Sequence, residues 1–236
     1  MSLFLSLYLG HVLGDFAFQP GRLVVAKRRG VSGVVLHTAI VMVATAVVAA
    51  ANIGVVWPAV LLAGLAHFGV EHLTIGARRE SASSGLTIFL LDQGAHIVSL
   101  VLLALVFTEQ LPPVLFVFPV DIHRLAVAAG LATVALAGSI LVFEVEIARR
   151  PTTDGTDAIL ALDRDRLYGM AERAGALAFA LALPVPALGA IAFAPRAAYA
   201  LALPTERRAH HLTAAAVGLG LCTAAWVLIE AAVRIA

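Results

Sequence analysis

The stretch VSGVVLHTAIVMVATAVVAAA, residues 31–51, carries a single ionisable side chain, His37. A backbone in such surroundings must satisfy its own N–H and C=O groups, and in hydrocarbon a helix of about 20 residues does so while crossing one bilayer. The pattern recurs along the chain and predicts helices over 2–19, 31–51, 55–75, 86–107, 122–148, 165–183, 186–203 and 208–233. Pro184, Pro186 and Pro195 interrupt the segment 186–203, and Arg196 lies within it. The expected fold is therefore all-α, a polytopic transmembrane bundle of about seven or eight spans forming one domain. Its first part, 1–108, bears the polar motifs, and 109–236 supplies supporting helices.

Composition agrees, with 61% hydrophobic and 13% charged residues. A formal net charge of +1 leaves no electrostatic footprint for nucleic acid. Cys222 is the single cysteine, which excludes an internal disulfide and a thiolate cluster, so any metal here takes nitrogen and oxygen ligands.

Basic residues set the expected orientation. Arg22, Lys27, Arg28, Arg29, Arg78, Arg79, Arg149, Arg150, Arg164, Arg166, Arg207 and Arg208 fall in loops on one side, which the positive-inside rule makes cytoplasmic. The N-terminus then lies outside a cytoplasmic membrane. The opening segment, without a basic n-region, reads as a retained first helix. The polar stretch 149–166 reads as a cytoplasmic loop with a short amphipathic piece.

Against this background the ionisable groups inside the spans stand out, because each costs roughly 2.5 to 3.5 kcal/mol at a helix centre on insertion scales. Helix one holds His11 and Asp15, helix two His37, helix three His67, Glu71 and His72, and helix four Asp92 and His96. His11/Asp15, His67/Glu71 and Asp92/His96 are spaced i, i+4, which stacks each pair on one helical face about 6 Å apart. Each group also falls roughly 4 to 10 residues from its helix's cytoplasmic end, which at about 1.5 Å per residue predicts one shared layer. His11, Asp15, His37, His67, Glu71, Asp92 and His96 are the expected metal ligands. This donor set suits zinc, with iron or manganese as alternatives, in one or two ions. Glu71 and Asp15 are the carboxylates expected to act in acid–base catalysis, and Gln19 and Gln93 flank the site as candidates for binding substrate.

The remaining polar groups read as structural. Glu172 and Arg173 are expected to pair in a layer shared with Glu144 and Glu146. His72 points about 100° away from Glu71, and His123, His210 and His211 sit at span boundaries where a solvated role is the default. Gly10, Gly14, Gly64 and Gly69 are expected to let helices approach closely.

The segments YLGHVLGDFAFQ (8–19), AHFGVEHL (66–73) and FLLDQGAHIV (89–98), with Lys27 and His37 between them, resemble an uncharacterised bacterial integral-membrane family, a domain of unknown function. The resemblance covers the first hundred or so residues, and YGMAERAGAL (168–177) is similar to a weaker Gly-x-x-Glu-Arg stretch of that family. Residues His11, Asp15, Gln19, Lys27, His37, His67, Asp92, Gln93, His96, Glu172 and Arg173 match its pattern. Glu71 stands where the family has Asp, and Thr74 where Lys is usual. In motif logic the pattern is similar to that of membrane-bound metal-dependent hydrolases. The expectation is a hydrolase acting on a lipid or lipid-linked substrate near the inner leaflet, with a proton or divalent-cation transporter using the same polar layer as the alternative.

Overall fold

Long apolar runs without helix breakers become helices, and their ends follow the sequence closely. The computed structural model describes residues 1–52, 57–80, 85–107, 121–149, 164–183 and 185–235, which contain helices and no strand. We number them α1 (Ser2–Val12), α2 (Gly21–Arg29), α3 (Val31–Asn52), α4 (Trp57–Glu80), α5 (Gly85–Phe107), α6 (Ile122–Ala132), α7 (Gly138–Arg149), α8 (Arg164–Ala182), α9 (Ala194–Leu201) and α10 (Thr205–Ile235). A π-helical turn, Leu13–Ala17, continues α1, another, Thr133–Ala137, joins α6 to α7, and a 3-10 helix, Pro186–Phe193, precedes α9. Most of the predicted 149–166 loop, residues 150–163, lies outside the described residues.

Five helical stretches are long and apolar enough to cross a membrane: 31–50, 57–77, 85–107, 122–149 and 207–234. The chain is an integral membrane protein on that basis. The segment expected as a first span is the shorter apolar helix Ser2–Ala17. The segment 186–203 divides into a 3-10 helix and a short α-helix because Pro186 and Pro195 each sit at a helical start, where a missing N–H costs nothing.

The helices gather into two compact units, Met1–Ala129 and Gly130–Ile235. In the first, α1 and α4 each pack against α3 and α5, and α2 lies on α3. The α1–α3 contact is close because Gly14 faces Val41: a Cβ at Gly14 would lie 2.6 Å from the Val41 Cα. Gly10 faces the Thr45 backbone in the same way, Gly64 makes room for the Met42 side chain, and the space beside Gly69 is open, so the expected close approach there does not occur. One end of this bundle is an apolar core built on Leu3, Leu7, Val60, Leu100 and Phe107. Outward-facing side chains are also apolar, with Val43, Leu65 and Leu105 exposed by 64%, 67% and 71%, a surface suited to lipid and unsuited to water.

Sequence reasoning treated 20–30 as loop, but Gly21–Arg29 is helical. Leu23 and Lys27, four residues apart, are its buried face, while Arg22 and Arg29 are exposed. So short a helix has too few apolar positions for its period to register.

In the second unit the π turn has a resident partner. Arg173 Nε donates to Val134 O at 2.6 Å and its Nη2 to Ala135 O at 3.3 Å. The expected Glu172–Arg173 pair is therefore not formed: adjacent positions on a helix diverge by about 100°, and Glu172 instead takes Arg196 Nε at 2.7 Å. Arg196 Nη1 also lies 3.3 Å from both Asp165 Oδ1 and His211 Nδ1. His210 bridges Glu146 at 2.5 Å and Asp165 at 3.2 Å, so the expectation of a merely solvated role for His210 and His211 is corrected. His123 is exposed, as expected.

Arg173→Met removes the donors that satisfy the π turn and should lower stability by about 1–3 kcal/mol, seen as a reduced Tm in detergent. Arg234→Met, at an exposed site, should leave the Tm unchanged.

Candidate metal centre

The polar end of the first unit is assembled by helix phase. His11 and Asp15 come from α1 and its π turn, where Phe18 N bonds to Leu13 O at 3.0 Å across the wider turn. The extra residue of a π turn re-aims the side chains it carries, and such turns cluster at functional sites. His37 comes from the second turn of α3, His67 and Glu71 from the middle of α4, and Asp92, Gln93 and His96 from the middle of α5. Expected as one layer, these groups do meet.

Two overlapping clusters result. In the first, ligand atoms of His11, His67 and His96 lie within 4.8 Å of one another. The rings form a triangle, with centroid separations of 5.2 Å for His11–His67, 4.6 Å for His11–His96 and 4.4 Å for His67–His96. His11, His67 and His96 are 4%, 2% and 1% exposed, and His11 Nε2, both His67 ring nitrogens and His96 Nε2 have no hydrogen-bond partner. Four orphaned imidazole nitrogens in one buried place are costly unless something binds there, since each forfeits its hydration.

In the second cluster, ligand atoms of Asp15, His37, His67 and Glu71 also lie within 4.8 Å of one another. Here the two carboxylates and the Nε2 of His37 are already partnered, while His37 Nδ1 and the shared His67 ring are not. His37 Nε2 stands 3.0 Å from Asp15 Oδ1 and 3.2 Å from Glu71 Oε2, and Lys27 Nζ donates to Glu71 Oε2 at 2.8 Å. His67 Nε2 is 3.8 Å and His11 Nε2 3.9 Å from the carboxylates one turn on, distances of attraction without a hydrogen bond.

Asp92, expected as a ligand, is held beside the clusters. Its Oδ1 accepts from Thr74 Oγ1 at 2.8 Å and its Oδ2 from Gln93 Nε2 at 3.0 Å, while His96 Nε2 is 3.7 Å away. Gln93 Nε2 also donates to Asp15 Oδ2 at 3.1 Å, so its amide ties Asp15 to Asp92. Gln19 keeps a buried, unpartnered Oε1. His72 turns outward and stacks on Phe68, as its position on the helix requires.

Lys27 is the member of the buried polar network that spacing alone did not reveal. It stands in a basic run beside Arg28 and Arg29, which looks like an ordinary solvated loop, and its i, i+4 relation to Leu23 is the one signal that it turns inward. Thr74 is a second: its hydroxyl donates to Asp92 Oδ1 at 2.8 Å.

The donor set fits a divalent ion. Three neutral imidazoles with nearby carboxylates suit zinc, iron or manganese, and the orphaned nitrogens are the atoms that would bind.

Lys27→Met should destabilise the metal-free protein by about 3–5 kcal/mol, because it leaves Glu71 as an uncompensated buried charge. Adding Glu71→Gln to that variant should recover most of the loss, which denaturant or thermal unfolding of the single and double variants will measure.

No curated protein and no solved structure matches the chain. Residues 3–124, over half of its 236 residues and including every group in the two clusters, match a protein family of unknown function, DUF3307. The chain belongs to the DUF3307 family.

Proposed function

We propose that the protein is a metal-dependent hydrolase of a bacterial cytoplasmic membrane, polytopic with seven or eight spans and an outer N-terminus, acting on a lipid or lipid-linked substrate at the inner leaflet. The observation that carries this reading is the buried triangle of unpartnered imidazoles, His11, His67 and His96, beside two carboxylates that already share a proton donor. Basic residues at the ends of the helices that bear the site, Arg22, Arg28 and Arg29 among them, support a cytoplasmic location for that end.

His11, His67 and His96 would hold the ion. The chemistry supplied there, once a divalent ion is bound, would be Lewis-acid activation of a carbonyl or phosphoryl oxygen and of water. The other residues are arranged for proton transfer. His37 Nε2 lies between Asp15 Oδ1 and Glu71 Oε2 at 3.0 and 3.2 Å, so a proton on that nitrogen is shared by both carboxylates. Glu71 is fixed as an anion by Lys27, which leaves Asp15 as the stronger candidate for general base and gives Glu71 the task of anchoring His37. Gln93 orients Asp15 through the 3.1 Å hydrogen bond, and Gln19, whose buried Oε1 has no hydrogen-bond partner, would be a substrate-binding residue.

Transport through the same polar layer is the competing reading. It is disfavoured because Leu3, Leu7, Val60 and Phe107 fill the other end of the bundle with apolar side chains, so no polar path continues beyond the site.

Zinc at 100 times its Kd should stabilise the purified protein by about 2.7 kcal/mol, and chelation should reverse the gain. Metal-loaded wild type should hydrolyse a member of a panel of lipid esters, amides and phosphates. Asp15→Asn should then lose roughly 100-fold in kcat while keeping its metal, whereas His67→Ala should lose both. Metal-driven flux into proteoliposomes with no hydrolysis would replace the hydrolase by the transporter.

A further inference from the structure

Lys27 stands apart in this site: it is a cation buried to 7% exposure, reaching from the short helix α2 into the group of candidate metal ligands. Its ammonium lies 2.8 Å from Glu71 Oε2, the same oxygen that His37 Nε2 approaches at 3.2 Å. The cluster Asp15, His37, His67 and Glu71 has the donors for an ion of its own, yet one of its two carboxylates, Glu71, already has a cation from within the chain.

We infer that the site takes one divalent ion, at His11, His67 and His96, and that the Lys27 ammonium is the built-in cation of the adjoining cluster, excluding a second ion. The inference rests on the metal-binding reading above and fixes the number and place of the metal.

Three observations carry it. The carboxylates separate the two clusters: each ring of His11, His67 and His96 has an unpartnered nitrogen and no carboxylate belongs to that triangle, whereas in the second cluster, where His37 Nδ1 is also unpartnered, Asp15 and Glu71 are held by His37 Nε2, Gln93 and Lys27. Ligand supply points the same way. His67 belongs to both clusters, and a ring nitrogen committed to an ion in the first is lost to the second. Charge balance is the third. In a low-dielectric interior, uncompensated charge is the dominant cost. One divalent ion with Lys27 neutralises the carboxylates of Asp15, Glu71 and Asp92, and a second would leave two positive charges in excess. Without Lys27 that excess falls to one, and Glu71 Oε2 loses its ammonium partner and gains the freedom to ligate.

The test is metal stoichiometry of the full chain in detergent, by elemental analysis and calorimetric titration with zinc, for wild type, Lys27→Met and Lys27→Arg. The expected result is one equivalent for wild type and for Lys27→Arg, and two for Lys27→Met. Two equivalents in wild type, or one in a folded Lys27→Met, overturns the inference while leaving the metal site standing. Absence of binding in all three overturns the metal site and this inference with it. Manganese-loaded wild type gives a readout that needs no variant: an uncoupled paramagnetic spectrum is expected, and an exchange-coupled pair overturns the assignment of Lys27.

Discussion

Two carboxylates buried among apolar helices are the constraint around which the first unit is built. Asp15 and Glu71 are 5% and 7% exposed, and each would be prohibitively costly as an isolated anion in that setting. The chain resolves the cost by sharing. His37 Nε2 serves both acids, Lys27 neutralises Glu71, and Gln93 ties Asp15 to Asp92. The close approach of α1 to α3 at Gly14 and Val41 is what lets Asp15 reach His37, and the inward turn of α2 is what delivers Lys27. A side chain at Gly14 or a different phase of α2 would break the network without touching any of its members.

Against this satisfied network, the unsatisfied one is the more informative. Chains rarely leave several buried imidazole nitrogens without partners, because each loses its hydration for no return. His11, His67 and His96 do so together, one from each of α1, α4 and α5, at the edge of a network where every acid has a donor. The contrast between filled and unfilled polar groups within a few ångströms is the physical basis for the proposed ion. In the second unit Asp165, His210 and His211 also converge, but there Arg196 Nη1 lies 3.3 Å from both Asp165 and His211. That cluster already contains its cation.

Much of this was legible in the sequence because membranes simplify the reading. Apolar length sets the helices, and ionisable residues inside them cannot be incidental, so His11, Asp15, His37, His67, Glu71, Asp92 and His96 are visible as one group. The i, i+4 pairs gave their faces. What spacing could not give was which groups meet across helices. Asp92 shares a face with His96, yet Thr74 and Gln93 hold it aside, a consequence of tertiary placement. Nor does a 3.6-residue period foresee a π turn, which is why the shift at Leu13–Ala17 was missed, and why the Thr133–Ala137 turn that draws Arg173 away from Glu172 was missed with it. Residues 186–203 carried the clearest warning, in their prolines, and fold accordingly as two short helical pieces.

The central claim is that His11, His67 and His96 ligate one metal ion, and X-ray absorption at the zinc edge of the zinc-loaded protein addresses it most directly. The account predicts a first shell of three imidazole nitrogens at about 2.0–2.1 Å, with the outer-ring scattering of histidine, completed by oxygen. That imidazole signal should vanish from the spectrum of His96→Ala or fall to two rings. A shell of oxygens alone in the wild type, or one histidine with carboxylates unchanged by His96→Ala, would place the ion elsewhere and contradict the account.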